Sequence, residues 1–477
     1  MSSSPLVGEE ENNSDGEERW LMMRLVGGEE ALIQIAFSVP MILTNMSYYG
    51  IPLFSVMLAG HLGDLELAGA TLGNSWFTVT GIALMIGLSG SLETLCGQGY
   101  GSESYRMLGI YLQSSFIISA LFSVFVSILW CNTETVLIWL QQEPQVAKLA
   151  SLYVKYMIPG LFAYGFIQCI LRFCQTQSVV TPLVLFSVIP LTLHAFLTYL
   201  LAYVLGFGFT ATSLSASISL WASLLMLLVY IKLSKNFEIT WGGLSIEAFQ
   251  YVLPNMKLAV PSAVMVCFEY WFFEFLVLMA GWLPNSEEST SLIAMCVNTE
   301  SIAYMITYGF SAAVSTRVSN EIGRGNINKA KKAVLTTLKL SIFLAAAVAL
   351  LLGLCHDIWA SCFSSNKEIV GQFGSMTPLL IMSILFDSAQ GILSGVARGS
   401  GWQHLAAWTN LVAFYLIGLP LAFLFGFNLN LQGKGLWMGL ICGLFCQALV
   451  LLVITFRTEW AKVHLSTATN NERDANV

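Results

Sequence analysis

The sequence predicts an all-α polytopic membrane protein: twelve transmembrane helices in two six-helix pseudo-symmetric lobes around a central cleft. Three observations carry that reading. Of 477 residues, 56% are hydrophobic and only 10% charged, against roughly 25% charged residues in an ordinary soluble domain. Apolar stretches of about twenty residues, enough to cross a hydrocarbon core roughly 30 Å thick, recur twelve times. The first six then repeat as the last six at a near-constant offset. Together these exclude a soluble globular protein, a single-span receptor, a secreted disulfide scaffold and a disordered regulator.

The spans fall near 32–57, 67–94, 108–130, 151–174, 179–205, 209–231, 257–281, 289–316, 333–354, 372–396, 404–427 and 435–456. Backbone groups in lipid must bond within their own segment, and stretches this long do so as helices rather than barrel strands. The organisation is then an acidic cytosolic tail (1–31), a six-helix lobe (32–231), a cytosolic linker (232–256), a second six-helix lobe (257–456) and a C-terminal tail (457–477). In the linker, Ile246, Phe249 and Leu253 at helical spacing beside Glu247 and Gln250 read as a short helix on the membrane surface. The first tail holds Glu9, Glu10, Glu11, Asp15, Glu17 and Glu18 and reads as a solvated arm. Its residues 17–22 (EERWLM) loosely resemble an acidic dileucine sorting signal.

Three stretches establish the repeat. Pro40, Tyr49, Ala59, Gly60 and Leu62 pair with Pro261, Tyr270, Ala280, Gly281 and Leu283; Gly87, Ser89, Thr94 and Gly101 pair with Gly309, Ser311, Thr316 and Gly323; and LAYVLGF from Leu201 pairs with LAFLFGF from Leu421. Six spans is an even number, so both copies enter from one side and are related by an axis along the membrane normal. Lysine and arginine set the orientation. Arg19, Arg24, Arg106, Arg172, Lys232, Lys235, Lys257, Arg317, Arg324, Lys329, Lys331, Lys332, Arg398, Arg457, Lys462 and Arg473 share the side of the termini, with only Lys148, Lys367 and Lys434 opposite. Both termini are therefore expected in the cytoplasm.

Charge at membrane depth is costly, so an ionisable residue there is a functional candidate by default. Glu269 in span seven and Asp387 in span ten are mid-span acids. Ser383, Gln390 and Ser394 share a helix face with Asp387, a polar stripe expected to face a cavity. Span eight offers a looser stripe of Ser291, Asn298, Ser301 and Tyr308, with Glu300 off to its side, and span seven adds Tyr270 and Trp271 beside its acid. The bland alternative is polar glue between helices. The repeat weighs against it, because the first-half equivalents of Glu269 and Asp387 are Tyr48 and Gly165, so the architecture does not require the acids. An ion-coupling site confined to the second half follows, with Tyr48 left to shape or substrate contact. Glu274 and Glu300 stay open between cavity and partner helix. Glu93, near a span end where snorkelling to water is cheap, reads as a gating or structural residue rather than one of transport chemistry, Arg172 is expected to snorkel, and His194 reads as a hydrogen-bonded packing residue. Pro40, Pro159, Pro261, Pro378 and Pro420 mark kinks.

No enzyme, metal, cofactor or nucleic-acid reading arises. Five histidines show no ligand spacing, no phosphate loop or GxSxG occurs, and no basic footprint for nucleic acid exists. Ten cysteines include no CxxC pair, and Cys169, Cys267 and Cys442 lie in apolar runs as small hydrophobes. The N-terminus lacks the features of a cleavable signal peptide.

Four segments resemble the multidrug and toxic compound extrusion (MATE) transporters, specifically their plant branch: 93–101 (ETLCGQGYG), 259–274 (AVPSAVMVCFEYWFFE), 311–326 (SAAVSTRVSNEIGRGN) and 395–403 (GVARGSGWQ). A major facilitator carrier would share twelve spans but should show a basic motif after span two, where this chain reads GQGYGSESYR. The MATE resemblance implies a V-shaped cleft and a monomer that exports amphipathic organic molecules by exchange for H+ or sodium, with plant relatives pointing to protons. It places the transporter in the vacuolar or plasma membrane. It also implies Glu269 and Asp387 as the coupling acids, with Asn298 as a polar neighbour. Span one carries Asn45 and no acid, unlike some prokaryotic relatives, and ITYG (306–309) stands where many plant relatives read IPYG. Remaining alternatives are a major facilitator type carrier, a channel or a receptor.

Overall fold

The computed structural model describes residues 28–284, 286–361, 367–458 and 460. The acidic residues before 28, with the 17–22 segment, and nearly all of the 457–477 tail lie outside the described residues. The chain forms α1 (Glu29–Gly60), α2 (Asp64–Gly101), α3 (Tyr105–Cys131), α4 (Pro144–Thr176), α5 (Thr181–Val204), α6 (Thr210–Leu233), α7 (Val252–Ala280), α8 (Ser286–Gly323), α9 (Ile327–Ser361), α10 (Lys367–Ser400), α11 (Gln403–Asn428) and α12 (Gln432–Arg457). By length and composition, eleven of these helices among the described residues can cross a membrane. The twelfth, α8, is less apolar because it carries Glu300, Arg317 and Glu321.

Most helices overrun their apolar stretch by several residues, since polar ends extend them beyond the lipid boundary, whereas α5 lies inside its predicted stretch and α6 and α11 match theirs within two residues. The repeat has structural counterparts. LAYVLGF and LAFLFGF both run through π-helical turns, Leu200–Val204 closing α5 and Leu424–Asn428 closing α11. A third π turn, Thr78–Ile82, interrupts α2. Pro40, Pro159, Pro261 and Pro378 lie inside helices. Ahead of α7, Ile246–Tyr251 is a 3-10 helix running straight into the span, with Ile246, Phe249 and Leu253 exposed.

Packed clusters fill both lobes, and a further one sets Ala31 and Ala83 of the first lobe against Val266, Val314 and Val396 of the second. Trp130, Tyr153, Phe77 and Phe173 fill the first, α1–α6, while Phe272, Phe373, Phe414 and Trp437 fill the second, α7–α12. Large apolar side chains such as Phe125, Phe196, Phe343 and Phe456 are exposed on the outside, as lipid contact requires.

The repeated glycines show how the lobes meet. A Cβ on Gly87 of α2 would lie 2.4 Å from the Ala263 Cα of α7, and one on Gly309 of α8 would lie 3.0 Å from the Ser38 carbonyl oxygen of α1. These are equivalent crossings, α2 on α7 and α8 on α1. Gly101 and Gly323 abut each other, with a Cβ on Gly101 only 2.1 Å from the Asn320 carbonyl oxygen. Gly101→Val should therefore destabilise the fold by about 1–3 kcal/mol, the usual range for overpacking. Thermal unfolding in detergent checks this, with Gly371→Ala, which meets nothing within 4 Å, as a control that should lose no stability.

Candidate functional site

Because the helix number is even, α1 begins and α12 ends at the same end of the bundle, the terminal end. Cross-lobe polar contacts crowd toward it. Glu93 of α2, 0% exposed, accepts Arg398 Nε of α10 at 3.0 Å and faces Arg172 Nε of α4 at 3.2 Å. The Ser315 hydroxyl of α8 also donates to it. Arg398 Nη2 donates to Ser311 at 2.9 Å, Arg172 Nη1 to Gln175 at 2.8 Å, and Arg172 Nη2 to the Tyr308 hydroxyl. Gly401, at φ +87, turns the chain just after α10, and the Arg398 carbonyl there accepts from Thr94. Gln98 then donates to the Gly399 carbonyl and Asn320 to the Thr176 carbonyl. Closer to the surface, Glu30 holds Arg317 through two bonds of 2.9 and 2.7 Å.

The expectation that Arg172 snorkels is therefore wrong, and Glu93, though near a span end, does not reach water either. Both are buried and belong to one ionic cluster, in which Glu93 pairs with Arg172 inside its own lobe and with Arg398 across the lobe boundary. Nor do Arg172 and Arg398 count as surface cations for orientation. At the other end the contacts thin to Ser75 donating to Glu274 at 2.7 Å and the Trp271 indole donating to the Val79 carbonyl at 2.9 Å. Glu274, left open above, thus meets a partner helix.

Deeper in the second lobe the two mid-span acids meet through one side chain. Gln390 Nε2 donates to Glu269 Oε1 at 3.0 Å and to Asp387 Oδ1 at 2.7 Å, and its own carbonyl accepts from Ser394 at 3.1 Å. Glu269 is 9% exposed and Asp387 3%. The stripe of Ser383, Asp387, Gln390 and Ser394 is buried against neighbouring helices rather than open. Ser383 bonds Glu300 of α8 at 2.6 Å and receives the Trp437 indole N–H of α12 at 3.1 Å. Around Glu269 stands an aromatic shelf, with Phe272 stacked on Phe414 at 4.9 Å and Phe268 tilted against Tyr415 at 5.2 Å.

The other candidates scatter. Asn298 is exposed and Tyr270 half-buried, and Ser301 bonds its own helix at Val297. Tyr48 lies in the other lobe, its hydroxyl 2.7 Å from Ser223. Thr307, where many plant relatives carry proline, meets Ser388 of α10 at 3.1 Å. His194 is a packing residue, bonded to Ser55 at 3.0 Å and reached by Thr198 and Ser215. Sequence reasoning missed Arg398 and the partner of Glu300. A mid-helix arginine in GVARGSGWQ was the available signal for the first.

Chemically, two carboxylates share the two N–H bonds of a single amide, an arrangement with room for one proton on the pair. Among the described residues no lysine or arginine forms an ion pair with either acid, and no three metal-ligating side chains cluster.

The MatE family model matches the chain twice, over residues 40–200 and 261–424, starting at the prolines that the repeat pairs. Protein DETOXIFICATION 18 of Arabidopsis thaliana is 55% identical over 446 residues, covering 94% of this chain and 95% of the relative. DETOXIFICATION 16 of the same plant is 42% identical over 432 residues, covering 91% and 89%. The crystal structure of the eukaryotic MATE transporter AtDTX14 superposes with a TM-score of 0.89 at 35% identity, over 92% of this chain and 98% of that one. A multidrug resistance MATE family transporter in an outward-facing conformation shares the fold at 18% identity, with a TM-score of 0.80 over 94% and 98%. The major facilitator, channel and receptor alternatives fall with these matches, and this multi-pass membrane protein belongs to the MATE family of transporters, which move small organic substrates across membranes.

Proposed function

We propose that the protein is a proton-coupled antiporter exporting amphipathic organic compounds or xenobiotics from the cytosol by alternating access. The single observation that carries the coupling is Gln390 donating to both Glu269 and Asp387, buried and without a cation partner. Like charges that close in a poorly solvated pocket are both ionised only at high cost, so a proton held by the pair relieves the repulsion. Taking up that proton leaves the pair a single negative charge, changes which oxygens can accept from Gln390, and favours the arrangement that releases substrate. Loss of the proton on the cytosolic side restores the charge and the affinity for a cationic or amphipathic guest. Each pH unit across the membrane supplies about 1.4 kcal/mol per proton.

The substrate class rests on the names of the relatives, DETOXIFICATION and multidrug resistance, and on the aromatic shelf beside Glu269. The transporter works as a monomer in the vacuolar or plasma membrane. Both termini face the cytosol, supported by Lys232, Lys235, Lys329, Lys331 and Lys332 at the terminal end. The dense terminal-end contacts then close the cytosolic side. In proteoliposomes loaded with ethidium, an imposed pH gradient should drive its movement against a concentration gradient, and a sodium gradient of equal size should not. The reverse preference would replace the proton by sodium, and purely downhill movement would overturn coupling altogether.

A further inference from the structure

The second lobe buries a third carboxylate that the coupling pair leaves unused. Glu300 of α8 is 2% exposed. Its Oε2 accepts from Ser383, while its Oε1 is buried without a hydrogen-bond partner. Ser383 precedes Asp387 by four residues on α10 and so lies one turn away on the same face. Glu300, Asp387 and Glu269 therefore form one row, in which Gln390 joins Asp387 to Glu269 and Ser383 holds Glu300 one turn from Asp387.

Few groups act on Glu300. Asp387 faces it from α10, and Cys296 lies one turn earlier on its own helix. Glu269 stands beyond Gln390 on α7. From α12 comes the uncharged Trp437, through Ser383. From α9 comes Trp359, bonded to the neighbouring Thr299 at 2.9 Å, while His356 and Asp357 pair with each other elsewhere on α9. Among the described residues no lysine or arginine forms an ion pair with Glu300. A buried carboxylate with one donor, one bare oxygen and another acid as neighbour is far costlier than the neutral acid.

The charge count of the lobe interface agrees. Arg172 and Arg398 stay charged against the single Glu93, leaving one positive charge to balance one acid of the row of three. Ser383 also has a switchable bond. Its one proton has two acceptors in reach, Glu300 Oε2 at 2.6 Å and the Leu380 carbonyl at 2.9 Å, while its oxygen receives Trp437. With Glu300 ionised, the serine donates to it. With Glu300 protonated, the acid donates to the serine, whose second lone pair remains for Trp437 and whose proton turns to Leu380.

We propose that Glu300 is a third proton-binding carboxyl of the second lobe, its protonation state read by the Ser383 hydroxyl, which also receives the Trp437 indole N–H. This rests on the coupling role of Glu269 and Asp387, and the test separates the two. Infrared difference spectra of the purified full-length protein, titrated from acid to alkaline pH, report each protonated carboxyl by its C=O band. Glu300→Gln should remove one band and lower proton uptake by one per molecule, with the Glu269 and Asp387 bands retained. Ser383→Ala should keep the Glu300 band but shift it, and should abolish the pH response of Trp437 fluorescence. An unchanged spectrum and proton count in Glu300→Gln would overturn the proposal. Should that variant not fold, Glu300→Asp and Ser383→Ala decide it, since a C=O band unmoved in both is equally fatal. If instead Glu269→Gln and Asp387→Asn remove no band while Glu300→Gln does, the coupling pair fails and Glu300 stands.

Discussion

Glu269→Gln and Asp387→Asn should each bring pH-gradient-driven ethidium transport down to the level of protein-free vesicles, while the protein inserts and unfolds at nearly the wild-type temperature. The amide oxygen can still accept from Gln390 Nε2, whose bonds of 3.0 and 2.7 Å define the pair. What the amide cannot do is take up and release a proton. Wild-type export should accelerate as the compartment opposite the termini is acidified, and the variants should show no such slope. Asp387→Glu separates charge from position, because it keeps an ionisable group but moves it by one methylene. It should retain transport with a displaced pH midpoint, since the carboxyl then meets different solvation and a different distance to Glu269. Full pH-driven transport by either amide variant would remove that residue from the coupling site.

Glu93→Gln should cost about 3–5 kcal/mol, the usual penalty for removing one partner of a buried ion pair. The glutamine leaves two guanidinium groups, at 3.2 and 3.0 Å from the lost carboxylate, buried without their anion. Thermal unfolding in detergent measures the loss. Adding Arg398→Met to Glu93→Gln should recover part of it, because the stranded charge goes too, so the two substitutions should be strongly non-additive. Simple addition of the two losses would show that the pair contributes little to holding the lobes together.

Much of the architecture was legible because membrane helices declare themselves through length and polarity. The repeat was legible because helix crossings tolerate so little, with Gly87 and Gly309 occupying equivalent contacts where a side chain has no room. Glu269 and Asp387 stood out because charge in an apolar span is costly, and Gln390 joined them by simple helical spacing. Glu93, Arg172 and Arg398 were misread for the opposite reason. Charge near a span end has a cheap route to water, and nothing local reveals a partner that lies about three hundred positions away in the chain. Glu300 was placed beside the polar stripe of Asn298 by helical angle alone. The structure leaves Ser291 and Asn298 exposed, carries Tyr308 onto Arg172 and turns the acid inward, toward Ser383, a choice made by the packing of α8 on α10.

The two layers of charge at the terminal end differ in what dissolved ions can do to them. Arg317 and Glu30 are 23% and 11% exposed, within reach of counterions whose screening length is about 8 Å at physiological ionic strength. Glu93 and its arginines sit beneath, 0% to 6% exposed, where no counterion enters. Changes in salt concentration therefore weaken the outer clasp while the inner one keeps its full strength. Contact between the lobes at this end therefore persists across a range of ionic strengths.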